Sequence, residues 1–193
     1  PGFPAASLLY EGDRVVGVRT GDKGIDKHGK RKGNYEAGVD IKAKVTILAE
    51  GARGSLTKTA VTKLKLDAGR FPMVYTLGIK ELWEIDAAKH VPGLVVHSAG
   101  WPLDRATYGG GFMYHQEDRL VSVGLVVGLG YANPWLEPFQ EFQRYKTHPL
   151  LRGFLDGGKR IAYGARAINA SGLQSLPQLA FPGGALVGCD AGF

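Results

Sequence analysis

The sequence predicts a mixed α+β and α/β fold, in which a partial, helix-bearing domain is interrupted by an inserted, mostly antiparallel β-sheet domain carrying two helices. Three stretches predict it. An apolar run at 45–49 leads through a glycine turn into a helical pattern at 55–64. From about Arg70 the texture becomes strand-rich, with two helical segments late in the block. Near the end the chain returns to a short apolar strand that closes on a second glycine turn. The expected domain boundaries are 1–68, 69–167 and 168–193.

In order, Ser7–Tyr10 and Arg14–Arg19 read as a strand pair joined at Glu11-Gly12-Asp13. The polar stretch 21–34, with four glycines, reads as a loop. Val39 to Lys44 alternates apolar and polar residues, the pattern of a half-buried strand. Val45–Ala49 is mostly apolar, as expected of a strand buried on both faces. Ser55 is the expected N-cap of a helix through about Leu64. Val74–Ile85 is a strand with Tyr75, Leu77 and Ile79 on one face, and Leu94–Ser98 is a shorter one. Gly109–His115 and Leu120–Leu129 form a hairpin that turns at Gln116-Glu117-Asp118.

Asn133-Pro134 reads as the cap and first residue of a helix over 135–147, with Pro138 as the alternative start. Trp135, Phe139 and Phe142 are expected in the core, with a face that touches lipid or a ligand's apolar tail as the alternative. His148-Pro149 ends that helix, and a second short one runs to about Leu155 before Gly157-Gly158. Lys159–Ala167 is a strand, and Leu179–Phe181 and Ala185–Val187 flank the turn Pro182-Gly183-Gly184. A chain that leaves one domain, builds a second and comes back is typical of cofactor enzymes with an inserted substrate domain.

Composition narrows the function. A hydrophobic fraction of 44% supports a packed core and excludes a disordered chain. Glycine, 29 of 193 residues, runs at twice the usual fraction of about 7%. It shows no three-residue period, which excludes collagen, and sits inside apolar runs, where it serves tight turns and close backbone approach. The one cysteine, Cys189, forbids an internal disulfide and any all-cysteine zinc or iron–sulfur site made by this chain alone. His28, His90, His97, His115 and His148 lack ligand spacing, so no metal site is expected.

No apolar run approaches the roughly 20 residues of a spanning helix. The chain begins Pro-Gly-Phe, shows no signal peptide and stops in what reads as the middle of a motif; it is expected to be a piece of a longer soluble or membrane-surface protein. The formal charge of +6 lies wholly in residues 1–70, where 14 Lys and Arg meet 8 Asp and Glu. Lys23, Lys27, Lys30, Arg31 and Lys32 concentrate it, as a solvated hairpin loop or as a patch attracted to anionic lipid head groups. No nucleic-acid motif accompanies it.

Three constellations carry chemistry. In Ala49-Glu50-Gly51-Ala52-Arg53-Gly54, glycine after a strand lets the backbone approach a cofactor. In Gly183 to Phe193, an apolar strand runs into Gly188-Cys189-Asp190-Ala191-Gly192, where an Asp at a strand's carboxyl end can accept hydrogen bonds from sugar-like hydroxyls. This second run resembles the Gly-Asp fingerprint of flavoproteins. In Tyr108-Gly109-Gly110-Gly111, glycines expose backbone groups beside an aromatic wall, which suits a flat ligand with a carbonyl oxygen. A β-bulge or strained hairpin entry is the structural alternative there. Asp104-Arg105 reads as a local ion pair.

The segments "GIKELWEID", "GWPLDRATYGGGFMYH", "LVVGLGYANPWLEPFQEFQRYKTHP" and "GGKRIAYGARAIN" together resemble the electron transfer flavoprotein–ubiquinone oxidoreductase family, over nearly the whole chain. The resemblance implies a flavoprotein of electron transport that passes electrons from reduced electron transfer flavoprotein to ubiquinone. It implies an FAD site at Glu50, Gly51, Gly188, Asp190, Ala191 and Gly192, and a ubiquinone site at Tyr108, Gly109 and Gly110, with no catalytic side chain required. It places residues 1–68 and 168–193 in a partial FAD-binding domain and 69–167 in a ubiquinone-binding domain.

The family's amino-terminal G-x-G-x-x-G unit and its 4Fe–4S cysteines are missing from this chain, so the cluster belongs to the full-length protein only and the isolated piece is expected to be inactive. The implied location is the surface of the mitochondrial inner or the cytoplasmic membrane, peripheral or monotopic. A related FAD-dependent reductase or hydroxylase of a lipid or small substrate, and a non-catalytic β-rich binding module, are the alternatives.

Overall fold

Residues 2–193 are described by a computed structural model, in which the chain divides into two compact units: the portion up to Met73 together with Ser171–Phe193, and Val74–Ala170. Each is built around its own apolar cluster.

In the first unit, β1 (Ala5–Glu11) and β2 (Arg14–Thr20) pair antiparallel as expected, and β5 (Asp40–Lys42) adds to the other edge of β2. Between them the stretch expected to be a loop forms a two-stranded ribbon, β3 (Lys23–Ile25) and β4 (Arg31–Glu36). Asp26 organises its turn, its Oδ1 accepting from the N–H groups of His28 at 2.8 Å and Lys30 at 2.9 Å. The run of turn-forming residues masked a hairpin, because Asp and Gly build the turn that joins two short polar strands. Residues 39–44 depart from the half-buried pattern: Val39 and Ile41 are exposed.

A third sheet has the order β12-β13-β6, from β6 (Thr46–Leu48), β12 (Ala180–Phe181) and β13 (Gly184–Leu186), with β13 parallel to β6. β6 has one partner only, so Leu48 enters the core while Val45 and Ile47 stay exposed, contrary to the expectation of a strand buried on both faces. α1 (Ser55–Leu64) packs Leu56 and Ala60 onto Leu8, Val15, Leu48, Phe181 and Leu186. Its N-cap is Gly54 rather than Ser55, which is the first helical residue. The turn before β13 is held by Gly183, at φ +82°, where a Cβ would strike the Val15 carbonyl oxygen. The first L side chain in that position would face both a disfavoured backbone conformation and a backbone collision.

The second unit is one antiparallel five-stranded sheet of order β11-β7-β10-β9-β8. Its strands are β7 (Tyr75–Glu84), β8 (Val95–Ala99), β9 (Gly109–His115), β10 (Leu120–Gly128) and β11 (Lys159–Asn169). The register pairs Leu77, Ile79, Glu81 and Trp83 with Val127, Leu125, Val123 and Val121, and these with Gly109, Gly111, Met113 and His115. Period-two alternation therefore puts all twelve on one face. Two helices cover that face: α2 (Pro138–Lys146), which places Phe142 and Tyr145 in the core, and α3 (Pro149–Leu155), which adds Leu151 and Leu155.

The start of α2 is Pro138, the alternative reading, and not Pro134. A proline inside a helix removes a backbone donor and clashes with the carbonyl four residues back, so a helix begun at Pro134 would break at Pro138. Asn133 serves a turn instead, its Oδ1 accepting from Trp135 N–H at 3.0 Å. Of the three aromatics expected in the core, Phe142 is fully buried, whereas Phe139 is half exposed and Trp135 is 88% exposed. His148 caps α3 through Nδ1, which accepts from Leu150 N–H at 3.3 Å.

Among the described residues no helix is long and apolar enough to cross a membrane.

Candidate functional site

In the first unit the return of the chain sets the site. β13 lies beside β6 in parallel with Leu186 opposite Leu48, so the segments leaving both strands emerge together at their carboxyl ends. Open α/β sheets bind ligands at such ends. One segment carries Glu50 and Gly51, the other Gly188, Asp190, Ala191 and Gly192. The two are joined directly: Asp190 Oδ2 accepts from the backbone N–H of Glu50. The other Asp190 oxygen, Oδ1, is buried and has no hydrogen-bond partner among the described residues.

Glu50 turns its carboxylate to α1, Oε2 accepting from Thr57 N–H at 2.8 Å and Thr57 Oγ1 at 3.1 Å. It thereby caps a helix whose Gly54 N-cap has no side chain to do so. Gly54 is confined by both acids, since a Cβ there would lie 2.6 Å from Asp190 Oδ1. Gly51 (φ +90°), Gly188 (φ +60°) and Gly192 (φ +94°) all hold left-handed backbone, and the space a Cβ would occupy at Gly51 and Gly188 is open. The site thus combines a buried, unsatisfied carboxylate oxygen with uncovered glycine backbone beside a helix N-terminus. That donor set fits a group bearing hydroxyls and phosphate, as the ribityl and pyrophosphate parts of a flavin dinucleotide do.

In the second unit Tyr108, Gly109 and Gly110 stand where the chain enters β9. Tyr108 is 69% exposed. The turn before it is organised by Asp104, whose Oδ1 accepts from Ala106 N–H at 3.1 Å and Thr107 N–H at 2.8 Å. The Thr107 hydroxyl and these N–H groups hold the Asp104 carboxyl below its ordinary value. Asp104 is therefore a turn-former, and no Asp104–Arg105 ion pair occurs among the described residues.

The three glycines are confined by protein. A Cβ at Gly109 would strike Val126 O, and at Gly111 the Tyr145 ring; at Gly110 it would lie 2.5 Å from Ser98 O. Their smallness is required by packing within the sheet and under α2. A groove of about 840 Å³ lies elsewhere in this unit, walled by Leu77, Ile79, Leu136, Phe139 and Tyr163, and Tyr108 to Gly110 do not line it.

Sequence reasoning missed a buried charge at that groove's inner end. Glu81, 2% exposed, accepts from Lys146 Nζ at 2.7 Å, Trp83 Nε1 at 2.8 Å and Arg160 at 3.1 Å. Burial pushes its carboxyl up, but the three hydrogen bonds and the Lys146 charge outweigh burial and hold it below the ordinary carboxylate value. The signal was available: Glu81 occupies an inward register position between Ile79 and Trp83. Tyr145 was missed as well, three residues after Phe142 on the buried side of α2. Among the described residues no cluster of three His, Cys, Asp or Glu could hold a metal ion.

Residues 75–168 match a family model described as ETF-QO, ubiquinone-binding. The whole chain is 53% identical to the mitochondrial electron transfer flavoprotein–ubiquinone oxidoreductase of Arabidopsis thaliana, 53% to the electron transfer flavoprotein–ubiquinone oxidoreductase of Pseudomonas aeruginosa and 54% to the human mitochondrial protein. It spans 31%, 35% and 32% of their lengths, about a third. Among solved structures, a geranylgeranyl bacteriochlorophyll reductase-like protein from Thermoplasma acidophilum is similar over 98% of this chain and 41% of its own, with TM-score 0.67 and 18% identity. A flavin-dependent brominase is similar over 99% and 44%, with TM-score 0.60 and 12% identity. These likenesses show the fold.

Proposed function

We propose, for a chain that belongs to the electron transfer flavoprotein–ubiquinone oxidoreductase family, that it supplies one half of an FAD site and the ubiquinone site of an enzyme passing electrons from reduced electron transfer flavoprotein to ubiquinone. The observation that carries this is the juxtaposition of Glu50 and Asp190 at the ends of parallel β6 and β13, with Asp190 Oδ1 buried and unpartnered. In this role Asp190 accepts from a ribityl hydroxyl, and Gly51 and Gly188, whose Cβ positions are open, let the cofactor lie against bare backbone, while Ala191 and Gly192, buried against the core, Met73 and Leu176, shape the turn that carries Asp190. Glu50 holds α1 so that its N-terminus faces the same place. The flavin, when bound, supplies the redox chemistry, and the protein supplies position and electrostatics.

At the second unit, the Tyr108 ring flanks the quinone and the Gly109 and Gly110 backbone meets a quinone carbonyl. No side chain is assigned as a general acid or base. The chain's one cysteine, Cys189, lies within the flavin motif. We therefore assign the 4Fe–4S cluster to the part of the relatives' length that this chain does not span. The proposed location is a membrane surface, where ubiquinone is held.

The test uses the complete flavoprotein. Flavin absorbance together with quinone reduction driven by reduced electron transfer flavoprotein is expected, and Tyr108→Ala is expected to raise the ubiquinone KM about tenfold, the loss of one aromatic contact. Flavin absorbance with no quinone reduction would favour the reductase or hydroxylase alternative. No flavin at all would leave the binding-module alternative.

A further inference from the structure

We propose that Tyr145 is a positioning residue for the quinone-facing backbone, acting through Ser98; this rests on the assignment of Tyr108 to Gly110 above. Tyr145 stands near the end of α2, is 3% exposed, and its Oη lies 2.8 Å from Ser98 Oγ on β8. Its ring covers Gly111, where a Cβ would collide with Cζ and Oη, well inside contact distance. The third glycine of the Tyr108-Gly109-Gly110-Gly111 run is thus a seat for the phenol.

Ser98 links this phenol to the proposed site. It pairs with Gly111 in the β8–β9 ladder, and its neighbour Ala99 pairs with Gly110. The Ser98 carbonyl oxygen is also the atom against which Gly110 is packed. One side of Ser98 therefore contacts Tyr145 and the other contacts the Gly110 backbone. β8 is a five-residue edge strand with a single partner, and Ala99 is its last residue. Such strand ends open locally at low free energy unless something pins them. The Tyr145 hydroxyl is the pin.

The phenol is itself fixed. The next residue, Lys146, is tied to buried Glu81 at 2.7 Å, so the end of α2 cannot shift away from the sheet without breaking an ion pair. Burial raises the Tyr145 phenol above its ordinary value, with the Ser98 bond opposing. Tyr145 touches no reacting atom in this scheme. It sets where Gly110 stands.

The test compares Tyr145→Phe, Ser98→Ala and the double variant in the flavin-loaded holoenzyme. Tyr145→Phe keeps the ring over Gly111 and removes one hydrogen bond. Its expected effect is a ubiquinone KM raised about fivefold, the size of one lost hydrogen bond, with the rate of flavin reduction by electron transfer flavoprotein unchanged. Ser98→Ala is expected to do the same, and the double variant no more than either, because both remove one interaction. Amide exchange at Gly110 and Ala99 is expected to quicken in Tyr145→Phe while that at Val123 stays slow.

An unchanged quinone KM in Tyr145→Phe and Ser98→Ala would overturn the proposal, as would a double variant whose effects multiply. Tyr108→Ala separates the two levels. If it raises the quinone KM and Tyr145→Phe does not, only the positioning role falls. If Tyr108→Ala is also without effect, the site assignment falls and the positioning role with it.

Discussion

Asp190 and Glu50, 140 residues apart in sequence, are joined by a hydrogen bond from the Glu50 backbone N–H to Asp190 Oδ2, which leaves Asp190 Oδ1 buried and unpartnered. The bond fixes the ends of two parallel strands at one spacing. Among the described residues no donor reaches the free oxygen. Burying a carboxylate oxygen without a partner is unfavourable, and the proposed FAD site would offset that cost with a ribityl hydroxyl.

Asp190→Ala removes that acceptor. In the complete flavoprotein it is expected to weaken FAD retention about 10- to 100-fold, the range for one hydrogen bond to a charged group. The flavin-to-protein ratio after gel filtration checks it. Asp190→Asn is expected to fall between the two, since the amide still offers one acceptor.

Glu81→Ala strands Lys146, whose side chain is 13% exposed, beside an emptied carboxylate position. Breaking a buried pair by removing one partner costs about 3–5 kcal/mol, and denaturant unfolding is expected to show a loss of that order. Glu81→Gln keeps the shape and some of the hydrogen bonding, and is expected to lose less.

The same carboxylate sets a pH dependence. Its native pKa is below its unfolded value, so its contribution to stability is complete above the ordinary carboxylate range and is lost as pH falls through the native value. Unfolding free energy followed downward from pH 6 is expected to decline in the native chain, and Glu81→Gln is expected to flatten part of that decline. An identical slope in both would assign the acid sensitivity to other groups.

Two glycines are expected to respond oppositely to alanine. Gly183 combines φ +82° with a collision against Val15 O, so Gly183→Ala is expected to destabilise by about 2–4 kcal/mol. Gly153 lies within α3, carries no positive φ and has open space at its Cβ position. Gly153→Ala is expected to stabilise by about 0.5–1 kcal/mol, the helix-propensity difference. Thermal or denaturant unfolding of each variant checks both signs.

Much of this architecture was legible because local rules agreed with tertiary outcome. The alternation from Tyr75 to Ile79, the hairpin at Gln116-Glu117-Asp118 and the return at Gly183-Gly184 all appear where pattern put them. The failures have specific causes. Residues 21–34 were rich in turn formers, and their number hid the two polar strands that those turns connect. Val45 and Ile47 read as core, yet burial depends on how many neighbours a strand receives, and β6 receives one. Trp135 read as core on helical spacing that begins only three residues later, at Pro138.

At the candidate sites the residue types were legible and the contacts were not. Gly109 to Gly111 read as space for a ligand, and the structure fills the Cβ positions with Val126 O, Ser98 O and the Tyr145 ring. Cross-strand and helix-to-sheet neighbours of that kind depend on register, which composition cannot supply.

The most direct measurement is photolabelling of the complete flavoprotein with an azido-ubiquinone, followed by peptide mapping. Label is expected on the segment containing Tyr108, Gly109 and Gly110, and excess ubiquinone is expected to suppress it. Competable label confined to other segments, in protein that still reduces ubiquinone, would contradict the assignment of the quinone site to this chain.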